Sequence, residues 1–311
     1  MPSVSRDAID AAADAERILM SSEPDSLQRG GARVKEAADL GSPQAMTRLA
    51  HFTAAGVLDK ADWDGAVDLL QRAAELEWAP ATDELRVLAR GAGATPSEMR
   101  ARVDIRAWIA PKAARSVSES PRIRTIDSFM SPDECAWMIA LGGPKLSRAS
   151  VYDHQAAGSQ VVSARSNKAG AIVLLDMDVV TVFLTARMAN TTGLPSQWFE
   201  PPTVLQYSPG EEFQPHYDFL DQSVPGHAAE LKRGGQRIAT FLTYLNEGYA
   251  GGETDFPRIG YRFKGRTGDA LVFGNVEPSG KPDPRTMHAG LPPTSGEKWL
   301  LSQWVRDRNT T

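Results

Sequence analysis

Apolar and polar positions follow two different patterns along the 311 residues. Up to about residue 115 the chain is rich in alanine and poor in turn residues and aromatic side chains, which predicts helices. After Pro201, short apolar runs alternate with clusters of turn residues, which predicts an antiparallel sandwich or barrel with helices packed outside. These runs are TVLQYS, RIATFLTYL, YRFK, DALVFG, RTMHAG and KWLLSQW.

The helical part contains an internal repeat. The sequence AADL at 37–40 returns as AAEL at 73–76, an offset of 36 residues, and Ala45 and Leu49 return as Ala81 and Leu85. Periods of 20–50 residues are typical of arrays of helical hairpins. Over about residues 30–90 the chain resembles the Sel1-like variety of tetratricopeptide repeat. Two roles are open: a helical cap packed on the next domain, or a concave surface that binds a partner or presents a substrate.

The two patterns define an α+β chain with a domain boundary. A helix is predicted after Ser131, an N-cap residue followed by Pro132 in the first turn, and a second helix over 176–191. We assign three segments: a helical-repeat region at 1–110, a linker at 111–121, and a second domain at 122–311 with its strand-rich core at 201–307.

Composition and charge exclude several classes of protein. A formal net charge of −5 and a pI near 5.6 argue against a protein that coats nucleic acid. The most apolar stretch, 171–189, is interrupted by charged residues, and the acidic N-terminus lacks the apolar core of a secretory signal. The single cysteine, Cys135, excludes an internal disulfide. We therefore expect a cytoplasmic protein with no membrane partner and no nucleic-acid partner.

The stretch YSPGEEFQPHYDFLD carries the first candidate chemistry. His216 and Asp218 are two residues apart, so in an extended chain both side chains point to the same face. With His288, in RTMHAG, they form a set of two histidines and one carboxylate, which leaves open positions on a metal ion as non-haem Fe(II) oxygenases require. Taken alone, His216 could equally donate to a backbone carbonyl beside a solvated Asp218.

A lysine close to the third ligand adds a second element. Lys298 follows His288 by ten residues, in SGEKWLLSQW. Its ammonium group could pair with the distal carboxylate of a dicarboxylate bound to the metal. An exposed surface lysine is the alternative.

The second domain resembles a known family, and the resemblance is specific because several motifs occur in that family's order. Residues 201–307 resemble the catalytic domain of prolyl 4-hydroxylases, within the Fe(II)- and 2-oxoglutarate-dependent dioxygenases, and the part from Arg122 onward belongs with them. The resemblance implies a double-stranded β-helix, a jelly-roll-like pair of sheets with flanking helices. It also implies Fe(II), with 2-oxoglutarate and O₂ as co-substrates and ascorbate as a reductant. The matching motifs are LQYSPGEEFQPHYD, GGQRIATFLTYLN, GGETDF, GDALVF and DPRTMHAGLPPTSGEKWLLSQW.

The resemblance also assigns roles to single residues. It makes His216, Asp218 and His288 the iron ligands. It pairs Lys298 with the C5 carboxylate of 2-oxoglutarate, and three contacts to that end of the molecule then come from Lys298, Tyr207 and Thr254. A buried carboxylate needs such charge-assisted partners.

The residues on the substrate side are assigned by the same resemblance. It places Arg237, Trp304 and Arg165 there, with structural ion pairs or a core tryptophan as the alternatives. Family members often carry tyrosine three residues before the first histidine, where this chain has Phe213. The loop 221–235 is a candidate lid.

The expected reaction is hydroxylation of a C–H bond, with succinate and CO₂ as co-products. The family suggests a prolyl residue of a peptide or protein, which the helical repeats could present. Two alternatives stay open: a hydroxylase of another amino-acid side chain or of a small metabolite, and an inactive adaptor built on the repeats. The intact set His216, Asp218, His288 and Lys298 argues against the adaptor.

Overall fold

The computed structural model describes residues 4–148 and 165–309 of the chain. Contacts between Cα atoms divide the chain into two units. The first contains Met1–Ala110 and Met177–Arg187, and the second contains Pro111–Asp176 and Met188–Thr311. No helix in the described part is long and apolar enough to cross a membrane.

The first unit is helical, and its consecutive helices pack on one another from α1 to α5. Small residues at the repeated positions make this packing close: Ala37 and Ala73 are both fully buried. With the 36-residue offset, the bounds of α2 and α3 correspond in sequence to those of α4 and α5. The bounds are α1 Arg6–Leu19, α2 Ser26–Asp39, α3 Pro43–Ala55, α4 Trp63–Glu75, α5 Ala79–Leu88, α6 Pro96–Arg102 and α7 Ile105–Ile109.

Side-chain caps fix where these helices begin. Ser42 accepts a hydrogen bond from the backbone of Ala45 at the start of α3, and Asp62 accepts one from Gly65 at the start of α4. Each cap satisfies an N–H group that the helix leaves without a partner. Helix α3 ends at Gly56, whose φ of 68° is the left-handed conformation that glycine adopts freely.

A buried ion pair links α3 to α5 inside the helical unit. His51 Nε2 lies 2.8 Å from Glu84 Oε2, and the Glu84 side chain is only 2% exposed. The other carboxylate oxygen accepts the backbone N–H of Val179, the first residue of α9 (Val179–Thr192). Burial disfavours the charged imidazole, but the Glu84 carboxylate outweighs it and raises the pKa of His51.

We expect Glu84→Ala to lower the free energy of unfolding by about 3 kcal/mol, because it leaves a buried imidazole and a buried N–H group without their partner. Urea unfolding at pH 6 measures this. The loss shrinks as the pH rises through the raised pKa of His51, since the pair is charged only below it. Asp83→Ala, at an exposed position of the same helix, is the control and changes stability by less than about 0.5 kcal/mol. Equal effects of the two substitutions would contradict the assignment.

The second unit is built from antiparallel strands. Its large sheet has the strand order β1-β2-β11-β7-β14-β5-β4-β3, and a four-stranded sheet has the order β10-β9-β12-β6. The short strands β13 and β8 pair with each other. The bounds are β1 Arg115–Glu119, β2 Arg122–Ile126, β3 Ser147–Arg148, β4 Lys168–Ala171, β5 Thr203–Tyr207, β6 Phe213–His216, β7 Arg237–Tyr244, β8 Ala250–Gly251, β9 Thr254–Phe256, β10 Tyr261–Phe263, β11 Ala270–Gly274, β12 His288–Gly290, β13 Pro293–Ser295 and β14 Lys298–Arg306.

The core of this unit lies between the two sheets. Leu205, Leu242 and Leu300 of the large sheet share one buried cluster with Phe256 of the small sheet. Alternation along each strand sends one set of side chains inward. The predicted α+β class and the predicted sandwich of short antiparallel strands both agree with this architecture.

Three boundaries differ from the predictions. The segment 111–121 is not a linker, because β1 lies inside it and pairs with β2 as an edge strand of the large sheet. The segment Met177–Arg187 groups with the helical unit rather than with the second domain. The predicted loop 221–235 contains helix α10, Pro225–Gly234, with a proline in its first turn.

The two helices predicted in the second domain are present. Helix α8, Pro132–Gly142, begins at Ser131, which accepts from the Glu134 N–H while Glu134 accepts from the Ser131 N–H. This reciprocal pair is a capping box. Helix α9 begins three residues later than the predicted 176 and ends one residue beyond 191.

Candidate active site

Strand pairing brings the two candidate histidines together. In the antiparallel pair β6–β12, His216 stands directly opposite His288. Their ring centroids are 4.3 Å apart. Asp218 follows β6 by two residues, so its side chain returns to the same face as His216. Residues 72 positions apart in sequence therefore meet at one point.

The three side chains form a compact set of metal ligands. His216 Nε2 lies 3.6 Å from Asp218 Oδ1, and His288 Nε2 lies 3.5 Å from Asp218 Oδ2. One ligand atom from each residue lies within 4.8 Å of the other two. Two imidazoles and one carboxylate suit Fe(II) and leave part of its coordination sphere open. The residues therefore fit the metal.

The second nitrogen of each imidazole is fixed by the backbone. His216 Nδ1 lies 2.8 Å from the carbonyl oxygen of Gln214, and His288 Nδ1 lies 3.0 Å from that of Thr286. A carbonyl can only accept, so each Nδ1 carries the hydrogen. In the neutral imidazole each Nε2 then carries the lone pair and faces Asp218, which is the tautomer that a metal ligand needs.

Charge within this cluster favours binding of a cation. Burial opposes ionisation of Asp218, but His288, His216 and the Thr240 hydroxyl together outweigh it and hold the pKa of the carboxyl well below its usual range. Burial, with His216 beside it, lowers the pKa of His288 to about 4. Near neutral pH the cluster thus contains an anionic carboxylate and a neutral His288, which are the forms that bind metal.

Lys298 supplies the second element of the site. It is the first residue of β14 and stands opposite Tyr207 of β5. The side chain is fully buried, and its Nζ has no hydrogen-bond partner among the described residues. A buried ammonium without a partner is costly, so the position calls for an anion. A dicarboxylate whose other end reaches the metal meets that requirement.

Two glycines make room around Lys298 and Tyr207. A Cβ on Gly252 would lie 3.3 Å from Lys298 Cδ and closer still to the Tyr249 ring, and its φ of 72° favours glycine. A Cβ on Gly290 would lie 3.2 Å from the Tyr207 hydroxyl oxygen. The GGET motif thus serves to accommodate the lysine stem.

Thr254 is in the pocket, but its hydroxyl is already engaged. Its Oγ1 lies 2.8 Å from the Tyr244 hydroxyl, which also lies within bonding distance of the Phe263 carbonyl. The phenol has one hydrogen. If it donates to Phe263, Thr254 must donate to the phenol and cannot also donate to a carboxylate. Thr254 can hydrogen-bond a carboxylate only when the Tyr244 hydrogen turns toward it.

Most of the predicted site residues line one pocket. His216, Asp218, His288 and Lys298 share it with Tyr207, Thr254, Arg165 and Trp304. Arg165 stacks over the Phe213 ring at 4.6 Å, and Phe213 stacks on His216 with 3.5 Å between ring centroids.

Arg237 is outside the pocket lining. Its guanidinium group pairs with Glu200 at 2.7 Å and stacks on the Trp304 ring at 3.6 Å. The structural ion pair considered for this residue is therefore present. Direct contact with a substrate remains a prediction.

Sequence reasoning missed the groups that support the ligands. Thr240 Oγ1 lies 2.7 Å from Asp218 Oδ2, and Asn275 Nδ2 lies 3.0 Å from Thr240 Oγ1. Glu200, which holds Arg237, was missed as well. Buried threonines and asparagines are common in strands and their ends, so the sequence gives no signal that separates these from others.

An antiparallel two-sheet domain with this ligand set and a buried, unpaired lysine defines a class: non-haem Fe(II) oxygenases that use a keto acid. Comparison with known proteins agrees. The 2OG-Fe(II) oxygenase superfamily matches residues 202–306. "Probable prolyl 4-hydroxylase 7" of Arabidopsis thaliana is 32% identical over 213 residues, 63% of this chain and 66% of that protein. "Prolyl 4-hydroxylase 1" of Arabidopsis thaliana is 32% identical over 209 residues, 63% of this chain and 72% of that protein.

Solved structures are similar as well, and one example is a viral protein. The viral collagen prolyl hydroxylase of Paramecium Bursaria Chlorella virus-1, in its 2OG complex, is 28% identical and aligns with a TM-score of 0.45 over 61% of this chain and 98% of that chain. The chain belongs to the prolyl 4-hydroxylase-like group of the 2OG-Fe(II) oxygenase superfamily. It is thus an oxidoreductase of a family that uses Fe(II), 2-oxoglutarate and O₂, and ascorbate is typical of its prolyl 4-hydroxylases.

The protonation state of Lys298 predicts how the affinity for 2-oxoglutarate depends on pH. Burial lowers the pKa of its ammonium group to about 7. Above that pH the free protein must take up a proton when it binds the dicarboxylate, so the Kd rises. We expect a Kd roughly 20-fold higher at pH 8.5 than at pH 6.5, measured by calorimetry on the metal-loaded protein without O₂. 2-Oxobutyrate, which lacks the distal carboxylate, is the control, and an equal pH dependence for both acids would contradict the assignment.

Proposed function

We propose that the chain hydroxylates a prolyl residue of a peptide or protein substrate, with 2-oxoglutarate and O₂ consumed and succinate and CO₂ formed. One observation carries the proposal: a two-histidine, one-carboxylate ligand set shares a pocket with a buried lysine that has no anionic partner among the described residues. Fe(II) with 2-oxoglutarate, when bound, supplies the oxidising chemistry. The relatives named as prolyl 4-hydroxylases support the choice of a prolyl substrate.

The residues of the pocket have two different roles, metal binding and 2-oxoglutarate binding. His216, Asp218 and His288 would hold the metal, and Lys298 would hold the C5 carboxylate with Tyr207 beside it. Leu205, Leu242 and Leu300 make this part of the pocket apolar, which strengthens the pairing of lysine and carboxylate and excludes water. Held at both ends, the keto acid is fixed in one orientation.

Two residues of the pocket lining offer groups for a substrate. Arg165 and Trp304 line it, and Trp304 Nε1 has no hydrogen-bond partner among the described residues. An indole N–H can donate to a peptide carbonyl, and the indole face opposite Arg237 would pack against a pyrrolidine ring. Phe213 lacks the hydroxyl that family members often have, so any substrate contact at that position is apolar here.

The finer architecture supports the same function. We infer that the two sheets form the double-stranded β-helix of the family, since both histidine ligands lie on the small sheet and Lys298 lies on the large one. We also infer that the helix pairs α2–α3 and α4–α5 are Sel1-like repeats that present a protein substrate. A cytoplasmic site of action, with no membrane or nucleic-acid partner, completes the proposal and rests on sequence composition.

Mass spectrometry of peptides tests the substrate. The full chain, loaded with Fe(II) without O₂, is given 2-oxoglutarate, ascorbate, O₂ and a proline-rich peptide. The control peptide has the same sequence with every proline replaced by alanine. We expect succinate formation to rise with the first peptide only, with one added oxygen atom mapped to proline.

Variants of Arg165 and Trp304 give a second readout for the same proposal. Arg165→Ala and Trp304→Leu should raise the KM for the peptide and leave the Kd for 2-oxoglutarate unchanged. Turnover that no proline peptide stimulates, or oxygen found on another side chain, would overturn the prolyl proposal in favour of another amino-acid side chain or a small metabolite. Failure to bind Fe(II) and to consume 2-oxoglutarate would favour the inactive adaptor.

A further inference from the structure

A chain of buried side chains runs from Asp218 away from the metal site. Thr240 Oγ1 lies 2.7 Å from Asp218 Oδ2, and Asn275 Nδ2 lies 3.0 Å from Thr240 Oγ1. Thr240 is 1% exposed and Asn275 is 0% exposed. Thr240 is in β7, and Asn275 immediately follows β11, the strand that pairs with β7. We propose that Thr240 and Asn275 are positioning residues that hold the Asp218 carboxylate in the orientation that binds the metal.

The direction of the hydrogen bonds follows from the chemistry of the groups. The Asp218 carboxylate is ionised and can only accept, so the Thr240 hydroxyl donates to it. That donation uses the only hydrogen of the hydroxyl, and Thr240 Oγ1 can then only accept from its second neighbour. Asn275 must therefore turn its amide nitrogen toward Thr240.

This orientation leaves Asn275 Oδ1 without a partner. The oxygen is buried and has no hydrogen-bond partner among the described residues. A buried amide oxygen without a donor lowers stability. An asparagine that keeps this arrangement gives up stability for the hydrogen bond that it donates to Thr240, as expected of a group selected for function rather than for folding.

As a consequence for the metal site, the two carboxylate oxygens of Asp218 have different hydrogen-bond neighbours. Each oxygen faces one histidine: Oδ1 lies 3.6 Å from His216 Nε2, and Oδ2 lies 3.5 Å from His288 Nε2. Only Oδ2 also accepts a hydrogen bond from the Thr240 hydroxyl. The hydrogen bonds of Thr240 and Asn275 would therefore hold the Asp218 carboxylate in one orientation and leave Oδ1 free of a hydroxyl donor for a metal. Outer groups of this kind set the orientation and the basicity of a ligand.

The same segment of backbone also supports the third ligand. The carbonyl of Asn275 accepts the backbone N–H of Asp283, and the carbonyl of Asp283 accepts the Thr286 hydroxyl. The Thr286 carbonyl in turn accepts from His288 Nδ1. Residues 275–288 thus connect the support of Asp218 to the support of His288, which explains why a buried asparagine stands at the start of this segment.

The test is the affinity of the full chain for Fe(II), measured by anaerobic calorimetry without 2-oxoglutarate or substrate. Thr240→Val keeps the shape and removes the hydroxyl, and we expect a Kd for Fe(II) about 10- to 100-fold higher. Thr240→Ser keeps the hydroxyl and should restore the affinity to within about threefold of the original. Thr243→Val is the matched control: Thr243 is on the same strand, is fully buried, and has no hydrogen-bond partner for its hydroxyl among the described residues.

Asn275→Leu tests the far end of the hydrogen-bonded series Asp218–Thr240–Asn275. It also tests the proposal if Thr240→Val does not fold. It removes both the donor and the unsatisfied oxygen and keeps a side chain that branches at Cγ. We expect the affinity for Fe(II) to fall about 3- to 10-fold while the melting temperature of the metal-free protein does not fall, a combination that a merely structural residue would not give. The absorption spectrum of the Co(II)-loaded protein should change in Thr240→Val and Asn275→Leu but not in Thr243→Val.

Two results would overturn the proposal. One is an affinity for Fe(II) that is equal in Thr240→Val, Thr243→Val and the original protein. The other is an Asn275→Leu variant that loses stability and keeps its affinity for metal, which would make Asn275 structural. The inference rests on the metal site and not on the identity of the substrate, so a failed peptide assay would leave it intact.

Discussion

Lys298→Met should greatly weaken the binding of 2-oxoglutarate and at the same time stabilise the metal-free protein. Lys298 is fully buried, and its Nζ has no partner among the described residues. Loss of its charge-assisted bond to the C5 carboxylate leaves that carboxylate buried and unpaired, which costs about 3–5 kcal/mol. We expect a Kd at least about 100-fold higher, measured by calorimetry on the metal-loaded protein without O₂.

The effect on stability has the opposite sign, because in the free protein the buried ammonium has only the Tyr207 and Tyr244 rings and the charge of Glu253 near it, and these do not outweigh its burial. Burial lowers the pKa of Lys298 to about 7, so below that pH folding buries a charged group. We expect Lys298→Met to raise the free energy of unfolding by about 3 kcal/mol at pH 6, with a smaller gain as the pH rises toward 10. The binding of 2-oxobutyrate should change little. A variant that binds 2-oxoglutarate normally, or loses stability, would contradict the role of Lys298.

Asp218→Asn should remove metal binding and turnover while leaving the fold intact. The substitution keeps the shape of the side chain, and the amide oxygen can still accept from Thr240. It replaces the anionic ligand with a neutral one between two imidazoles, so Fe(II) is held far more weakly. We expect succinate formation to fall on the order of 1,000-fold at a fixed low Fe(II) concentration.

Asp221→Asn is a suitable control for that substitution, because Asp221 is exposed and its carboxylate accepts from the backbone N–H and the hydroxyl of Ser223 rather than from a group of the site. It should retain turnover within about twofold and bind Fe(II) normally. Circular dichroism establishes that both variants are folded. Undiminished turnover in Asp218→Asn would show that the metal is held elsewhere.

Much of this architecture could be predicted from the sequence because it is carried by local patterns. Alternating short apolar runs predicted the antiparallel strands, and Ser131 with Pro132 predicted the start of α8. The metal ligands could be predicted because their spacing and residue types are unusual. His216 and Asp218 have the two-residue spacing of an extended strand, and His288 stands in a second extended segment.

What the sequence could not predict depends on contacts between distant residues. The segment 111–121 is poor in apolar residues, and its strand β1 forms only because β2 offers an edge. Thr240 and Asn275 resemble any buried polar residue until the fold places them behind Asp218. Arg237 was assigned to substrate by position in a motif, and only the structure shows its bonds to Glu200 and its stacking on Trp304.

The most direct test of the central claim is the yield of succinate from 2-oxoglutarate by the purified full chain. The protein is loaded with Fe(II) without O₂, then mixed with 2-oxoglutarate, ascorbate and air-saturated buffer, with the proline-rich peptide present or absent. We predict succinate that requires Fe(II), increases with the peptide, matches the hydroxylated peptide in amount, and disappears in His288→Ala. A folded protein that makes no succinate with Fe(II) bound, or makes it equally in His288→Ala, would contradict the assignment of His216, Asp218 and His288 as the catalytic metal site.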